Sequence, residues 1–272
     1  MKYRSAKIIA SLFAAALLHI SPAHAANTAP AAYASLPWLS GMAQFIVGST
    51  INIQSASSWN SSGSLVAPRG KPRDAAVIAL DPKDAARLGF ETEAPNLYLL
   101  YDNLPIEESK RGYMPFNPSI LPFLSQRLLI VLCKLSPDNY SFYQRRLAEF
   151  QSRLESAVEV GRSLIHDAPV LDLSGAVGPW IRAASAKAVR PPDELWYAWS
   201  GNIRIAELAL AVKEAENNGW HILTDAWTPQ QIRAHTISSK RLVSISPPEA
   251  DYDFFNYLHD IYLKFWTVSS AK

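Results

Sequence analysis

A single cysteine stands in this chain of 272 residues, so an internal disulfide cannot form. Cys133 lies in the apolar run LLIVLCKL, away from any processing site. We therefore interpret it as a small buried hydrophobe and not as a reactive thiol or the attachment point of a lipid. Dense basic runs are also absent, and 26 basic side chains nearly balance 24 acidic ones. This balance argues against a nucleic-acid partner.

Short catalytic motifs are missing as well. The chain has no Gly-x-Ser-x-Gly, no phosphate-binding loop, no His-Glu-x-x-His and no Cys–His pairing. The adjacent acids Glu107 and Glu108 fit a solvated loop better than a pair of catalytic carboxylates. The sequence therefore predicts a protein that is not an enzyme.

The N-terminus has the pattern of a processing signal. A basic start, MKYRSAK, precedes the apolar stretch IIASLFAAALL, which is too short to span a bilayer comfortably. The small residues of AHAA then predict a signal peptide over residues 1–25 with cleavage before Ala26. Because no second long apolar segment follows, we expect a soluble mature chain. Because Cys133 does not lie at the cleavage site, we expect export to the periplasm without a lipid anchor.

The first part of the mature chain favours an α/β lobe over residues 26–118. QFIVGSTINIQ and NLYLLYDN read as strands, and DPKDAARLGF between them reads as a helix with Pro82 at its first turn and Gly89 at its end. SSWNSSGSLVAPRGKPRD reads as a long polar loop. Alternating strands and helices are typical of a parallel sheet with helical flanks.

In residues 119–166 the alternation of strand and helix patterns stops. This segment predicts a connecting helix followed by one long spine helix. Ser136-Pro137-Asp138 supplies a start signal for the spine. Apolar residues then recur at three- and four-residue steps, at Tyr143, Leu147, Phe150, Leu154, Ala157, Val158 and Leu164. Roughly 25 helical residues would span almost 40 Å, which suits a rigid rod along two lobes.

Residues 167–272 return to alternating elements and predict a second α/β lobe. APVLDL and RLVSIS read as strands, PPDELWYAWSGN as a loop, and DYDFFNYLHDIYLKFW as a closing amphipathic helix. The predicted fold is therefore α/β, with two lobes. Each lobe holds a small, mostly parallel sheet flanked by helices, and the rigid spine helix joins them.

This layout resembles the ZnuA- and TroA-like solute-binding proteins of metal ABC transporters, known as cluster A-I. The resemblance is carried by NPSILPFLSQRLLIVLCKL and by the spine that follows, with matching residues at Leu135, Pro137, Asn139, Tyr143, Phe150 and Leu154. DPKDAARLGF and SGAVGPW match further family segments. The resemblance implies an ABC permease in the inner membrane as the partner and a metal ion, or a metal complex, as cargo. No resident cofactor is expected.

The chain departs from this family at the metal site, which usually holds two or three histidines with one or two carboxylates. The matching places here are Trp59 and Asn60, the stretch from Tyr113 to Phe116, the stretch from Asp172 to Ser174, and Ser244 with Ser246, ahead of Glu249 and Asp251. An indole offers no lone pair to a metal, and a neutral hydroxyl is a poor ligand for zinc or manganese. We therefore expect a degenerate cleft without a high-affinity site for either ion.

The remaining candidate ligands are scattered. His166, His221, His235 and His259 include no pair at i, i+4 spacing, so each is interpreted as a surface or core residue. Asp172 follows a predicted strand, and carboxyl ends of strands face the cleft in α/β lobes. Asp172 can serve either as a cleft carboxylate or as a cap of the following turn.

Eight tryptophans form the last notable feature. Trp59, Trp180 and Trp199 could line a cleft for an organic ligand or metal chelate, or they could simply pack the lobes together. The candidate cleft residues are Trp59, Asn60, Tyr113, Asp172, Ser174 and Trp199. Two functions stay open: a monomeric carrier that presents its ligand to a permease, and an accessory or interaction protein in metal homeostasis that has lost ligand binding.

Overall fold

The computed structural model describes residues 32–66, 75–91, 93–101, 117–248 and 252–270. Several predicted features lie outside these ranges: the signal peptide and its cleavage site, the loop with Tyr113, and the acidic residues at 107, 108, 249 and 251. None of the described helices combines the length and the apolar character needed to cross a membrane.

The N-terminal lobe is built around a parallel four-stranded sheet. Its elements in chain order are β1 (Ala32–Ala34), α1 (Pro37–Val47), β2 (Ile53–Ser55), β3 (Ser58–Trp59), β4 (Leu65–Val66), β5 (Ala76–Ala79), α2 (Pro82–Arg87) and β6 (Leu97–Leu99). The strand order is β2-β1-β5-β6. The predicted polar loop contains the antiparallel pair β3–β4, which forms a separate small hairpin.

One predicted strand is wrong in its first half. Residues 44–47 of QFIVGSTINIQ close helix α1, and only Ile53 and Gln54 of this stretch belong to a strand. The β-branched Ile46 and Val47 suggest a strand, but both are buried on the apolar face of the helix, and this packing outweighs local propensity. Gly48 ends the helix with φ +58°, a conformation that favours glycine.

The connecting segment agrees closely with its prediction. Helix α3 (Leu121–Leu135) leads through a short 3-10 turn into α4 (Tyr140–Ile165), the spine helix of 26 residues. The first five predicted apolar positions of the spine are buried, while Val158 and Leu164 are half-buried. The Tyr143 hydroxyl lies 2.6 Å from the Thr50 hydroxyl, so the spine is bonded directly to the N-terminal lobe.

The C-terminal lobe repeats the parallel architecture. It comprises β7 (Val170–Asp172), α5 (Gly178–Ala184), β8 (Ala188–Val189), α6 (Asp193–Ser200), α7 (Ile205–Asn217), β9 (His221–Asp225), α8 (Gln230–Thr236), β10 (Leu242–Ile245) and α9 (Phe254–Ser270). Its strand order is β10-β9-β7-β8, and all pairs are parallel. The predicted fold class, two α/β lobes and a long spine, is confirmed.

The last helix, α9, ties the two lobes together. It packs along the spine and also touches α1. Phe255 of α9 lies 5.4 Å from Phe45 of α1 and 5.3 Å from Phe150 of the spine, between ring centroids. Gly161 permits a close approach, since an added Cβ would lie 2.5 Å from the Tyr262 ring. Edge-to-face and tilted aromatic pairs of this kind favour a fixed arrangement of the elements that carry them.

Candidate functional site

Two neighbouring strands of the C-terminal sheet end in a buried aspartate. β7 ends at Asp172 and β9 ends at Asp225, and both side chains are fully buried. Because the strands are parallel partners, both carboxylates lie at the same edge of the sheet. This is the edge where α/β proteins commonly place ligands, so the state of these carboxylates decides what the site can hold.

Asp225 is enclosed by donors from the loop after β7. Its carboxylate accepts hydrogen bonds from the backbone N–H groups of Gly175 at 2.9 Å, Ala176 at 2.7 Å and Val177 at 3.0 Å. The Thr228 hydroxyl adds a fourth bond at 2.9 Å. With four donors on two oxygens, the carboxylate holds the loop and is not available to a cation. Sequence analysis missed Asp225, although it ends a strand just as Asp172 does.

Asp172 is neutralised by side chains. It accepts hydrogen bonds from the backbone N–H of Ser174 at 3.0 Å and from the Ser174 hydroxyl at 2.6 Å. The Arg182 guanidinium forms an ion pair with it, and Arg190 lies 3.8 Å away. Asp172 therefore caps the turn, which is one of its two predicted roles, and two arginines supply the compensating charge that a buried carboxylate requires.

Two glycines make this compact loop possible. A Cβ on Gly178 would overlap the Asp172 carboxylate, so only glycine lets the start of α5 approach it. A Cβ on Gly175 would lie 2.5 Å from the carbonyl oxygen of Trp227. A side chain at either glycine would therefore force the backbone or the Asp172 carboxylate to move. The shape of the loop after β7 depends on its two carboxylate acceptors and on Trp227.

The N-terminal side of the site is the β3–β4 hairpin. Asn60 lies on its turn, and its side-chain oxygen accepts hydrogen bonds from the backbone N–H groups of Ser62 at 3.0 Å and Ser64 at 2.9 Å. Asn60 is exposed, and its side chain stabilises the hairpin turn in which it lies. Trp59 precedes it and is half-buried.

The two lobes touch at this hairpin. The rings of Trp59 and Trp227 meet edge to face, with centroids 5.2 Å apart and planes at 82°. Gly63, at φ +75°, approaches the loop after β9 so closely that an added Cβ would lie 2.9 Å from the Ala226 Cβ. The Trp59 indole N–H is buried, and within the described ranges no hydrogen-bond acceptor reaches it. We call this contact region, formed by the β3–β4 hairpin and the loops after β7 and β9, the lobe junction.

The structure separates the predicted cleft residues into two groups. Trp59 and Asn60 lie on the N-terminal side of the lobe junction, and Asp172 and Ser174 lie beneath its C-terminal side. Trp199 does not join them. The predicted loop PPDELWYAWSGN is helix α6, and Trp199 packs inside the C-terminal lobe with 2% of its surface exposed instead of lining the cleft.

Other aromatic residues also differ in their placement. Trp180 is 1% exposed and belongs to the main core, so it packs the interior. Trp227, which sequence analysis did not single out, is the residue that meets Trp59. Its position two residues after the strand HILTD was the available signal.

The described histidines do not gather into a metal site. Among the residues that the structure describes, no group of three or more His, Cys, Asp and Glu side chains could hold a metal ion. His166 follows the end of the spine, and the His235 ring contacts the Gln231 carbonyl at 2.9 Å. His221 is buried beside Phe265, and burial, followed by the charge of Arg241, lowers its pKa.

The polar groups at the end of β10 are serine hydroxyls and a backbone carbonyl. Ser244 and Ser246 are exposed, and the Ser246 carbonyl accepts a hydrogen bond from the Tyr257 hydroxyl at 2.9 Å. Burial, with a smaller contribution from the Asp225 charge, raises the pKa of Tyr257 far above its usual value. Tyr257 is therefore a neutral hydrogen-bond donor and cannot act as a phenolate ligand.

Solved structures superpose on nearly the whole chain. ZnuA is 14% identical, with a TM-score of 0.61 over 88% of this chain and 98% of its own. The chain has the fold of metal-binding solute-binding proteins. Fe(III)-bound YtgA from Chlamydia trachomatis is 11% identical, with a TM-score of 0.59 over 87% and 96% of the two chains. The solute-binding protein FpvC from Pseudomonas aeruginosa, in complex with Mn²⁺, is 15% identical, with a TM-score of 0.57 over 89% and 98%.

These neighbours confirm the cluster A-I resemblance at the level of the fold, and they are binding proteins rather than enzymes. No family model and no curated protein sequence matches the chain. The similarity to these structures is therefore one of fold, the arrangement of lobes and spine.

Proposed function

We propose that this chain is the periplasmic solute-binding component of an ABC-type uptake system and that its cargo is a metal in complexed form, not a bare divalent ion. The observation that carries the proposal is the fold shared with metal-binding solute-binding proteins over 88% of the chain. The partner would be an inner-membrane ABC permease, and the protein would act as a monomer.

The chemistry of the lobe junction supports a complexed cargo. A zinc or manganese ion needs several unengaged carboxylate or imidazole ligands that converge on one point. Asp225 is held by four donors, and Asp172 is paired with Arg182. Among the described residues of the junction, Trp59 contributes its ring and an indole N–H without a hydrogen-bond partner. Such groups suit an organic ligand shell with acceptor oxygens and apolar surface.

A second function is favoured by one specific observation, the direct contact between the lobes. Trp59 packs against Trp227, and Gly63 closely approaches Ala226. A junction held by the protein's own side chains would suit an accessory or interaction protein in metal homeostasis that no longer captures a ligand. The two functions differ in whether any cargo changes the environment of Trp59.

Tryptophan fluorescence distinguishes these functions. The protein is titrated with zinc, manganese, copper and iron salts, and separately with the same ions as citrate or catecholate chelates. The proposal predicts a saturable response to at least one chelate and no response to the bare ions. Replacing Trp59 with Phe should remove the response, because its ring and N–H lie at the lobe junction.

Trp266→Phe is the matched control, because Trp266 lies 52% exposed on α9 and should not report on the junction. A saturable response to a bare ion that Trp59→Phe abolishes would overturn the proposed cargo class. The absence of a fluorescence response to every ion and chelate would favour the accessory function instead.

A further inference from the structure

A groove lies between α8 and the outermost strand of the C-terminal sheet. Among the described strands, β10 pairs only with β9, so its other edge has no strand neighbour. The groove has a volume of about 390 Å³, and its floor includes Ser244 of β10 and its register partner Thr224 of β9. All its lining residues belong to the C-terminal lobe, and they include none of the lobe-junction candidates. What it binds is therefore a question separate from the proposed function.

Arg233 is the charged residue that lines this groove. Its Nε atom is buried and has no hydrogen-bond partner among the residues that the structure describes. Within the described part of the chain, Arg233 also forms no ion pair, whereas Arg182 pairs with Asp172 and Arg204 pairs with Glu207 at 2.6 Å. A buried donor without an acceptor destabilises the protein. An anionic ligand in the groove would supply Arg233 with the charged partner that it lacks among the described residues.

The other lining groups define what that ligand would be. Gln230 and Ser244 can donate further hydrogen bonds, and the residues that line the groove include no carboxylate. Leu242 and the 77% exposed Ile237 give the groove apolar surface beside the arginine. A planar guanidinium recognises a carboxylate through two parallel hydrogen bonds. The combination fits a small anion with a planar carboxylate and a short apolar chain.

We propose that this groove is a binding site for a small aliphatic carboxylate, whose carboxylate pairs with Arg233 and whose chain lies against Leu242 and Ile237. Binding would occur on the edge of the C-terminal lobe, whether or not the lobe junction holds cargo.

Calorimetric titration of the full chain with butyrate tests this site, with inorganic phosphate as a second probe at matched ionic strength. Butyrate should bind at one site. Arg233→Ala should weaken binding at least about tenfold, which corresponds to roughly 1.4 kcal/mol. Ile237→Asp, at an exposed position, should weaken it as well by placing a negative charge beside the ligand.

Arg145→Ala is the matched control, because Arg145 is an exposed arginine of the spine that does not line the groove, and it should bind butyrate like the parent chain. Circular dichroism establishes that each variant is folded. The proposal is wrong if the parent chain binds no butyrate, if folded Arg233→Ala binds it equally well, or if phosphate binds where butyrate does not.

Discussion

The two sides of the lobe junction are built in opposite ways. On the C-terminal side, two fully buried carboxylates organise the loop after β7 through short hydrogen bonds and ion pairs. On the N-terminal side, a hairpin of two-residue strands presents Trp59, and the exposed Asn60 accepts hydrogen bonds within its turn. One side is a buried polar network, and the other is an aromatic contact at the end of a small hairpin.

This difference bears on what the described part of the lobe junction can hold. Its two carboxylates are already engaged inside the C-terminal lobe, by hydrogen bonds and by Arg182. The N-terminal side contributes the apolar ring of Trp59. We expect the C-terminal side to control stability and the N-terminal side to control how the lobes meet.

The largest effect is expected from Asp225→Ala. The substitution leaves the N–H groups of Gly175, Ala176 and Val177 without their acceptor. Removing one partner of a buried charged network costs roughly 3–5 kcal/mol. Urea unfolding measures the loss. Asn60→Ala, on the exposed hairpin turn, is the control and should cost about 1 kcal/mol or less. Equal losses of stability in both variants would contradict the described difference between the two sides of the lobe junction.

Gly178→Ala should have the next largest effect. The added Cβ would overlap the Asp172 carboxylate, so α5 or the carboxylate must move. Overpacking of this kind typically costs about 1–3 kcal/mol. Gly41→Ala is a matched control, because its Cβ would meet only the Phe254 Cβ, at an ordinary 3.9 Å. Thermal unfolding should separate the two variants, and an unchanged melting temperature for Gly178→Ala would contradict the described packing.

A smaller effect is expected where the lobes meet. A double-mutant cycle with Trp59→Leu and Trp227→Leu keeps apolar bulk and removes the ring pair. The coupling energy from unfolding measurements should be about 0.5–1.5 kcal/mol, the usual size for an aromatic pair. A coupling near zero would mean that the tryptophans do not hold the lobes together in solution.

The smallest effect is a pH dependence from His221. Burial and the nearby Arg241 charge lower its pKa, so the unfolded state takes up the proton first as pH falls. Stability from neutral His221 is therefore fully present above an unfolded pKa of about 6.5 and is lost as pH falls below it. Urea midpoints measured at about pH 7.5 and pH 5.5 should differ less in His221→Leu than in the parent chain. An identical difference in both would rule out this contribution.

Most of the fold could be predicted from the sequence because apolar residues recur in it at regular helical and strand spacing. The spine residues Tyr143, Leu147 and Phe150 repeat at helical spacing, and the structure buries all three. The errors fall where local preference and packing disagree. Ile46 and Val47 favour a strand, and PPDELWYAWSGN has the composition of a loop, yet both stretches are helices with a buried face.

The candidate site was harder to predict from the sequence than the fold. Its place at the end of a predicted strand located Asp172, but the sequence could not show that Arg182, ten residues later, would pair with it. Asp225 and Trp227 act through partners about fifty residues or more away, at Gly175 and Trp59. Contacts of this range depend on how two lobes pack, and a single sequence does not encode that packing in any local pattern.

The central claim follows from the proposed function: Asp172 and Asp225, the described carboxylates of the lobe junction, are already engaged, and the protein retains no bare divalent ion. Its most direct test is the elemental analysis of mature protein that has been incubated with zinc or manganese and then dialysed. The account predicts much less than one ion retained per chain, with Asp172→Asn and Asp225→Asn unchanged in metal content. One ion per chain, lost in either aspartate variant, would contradict it.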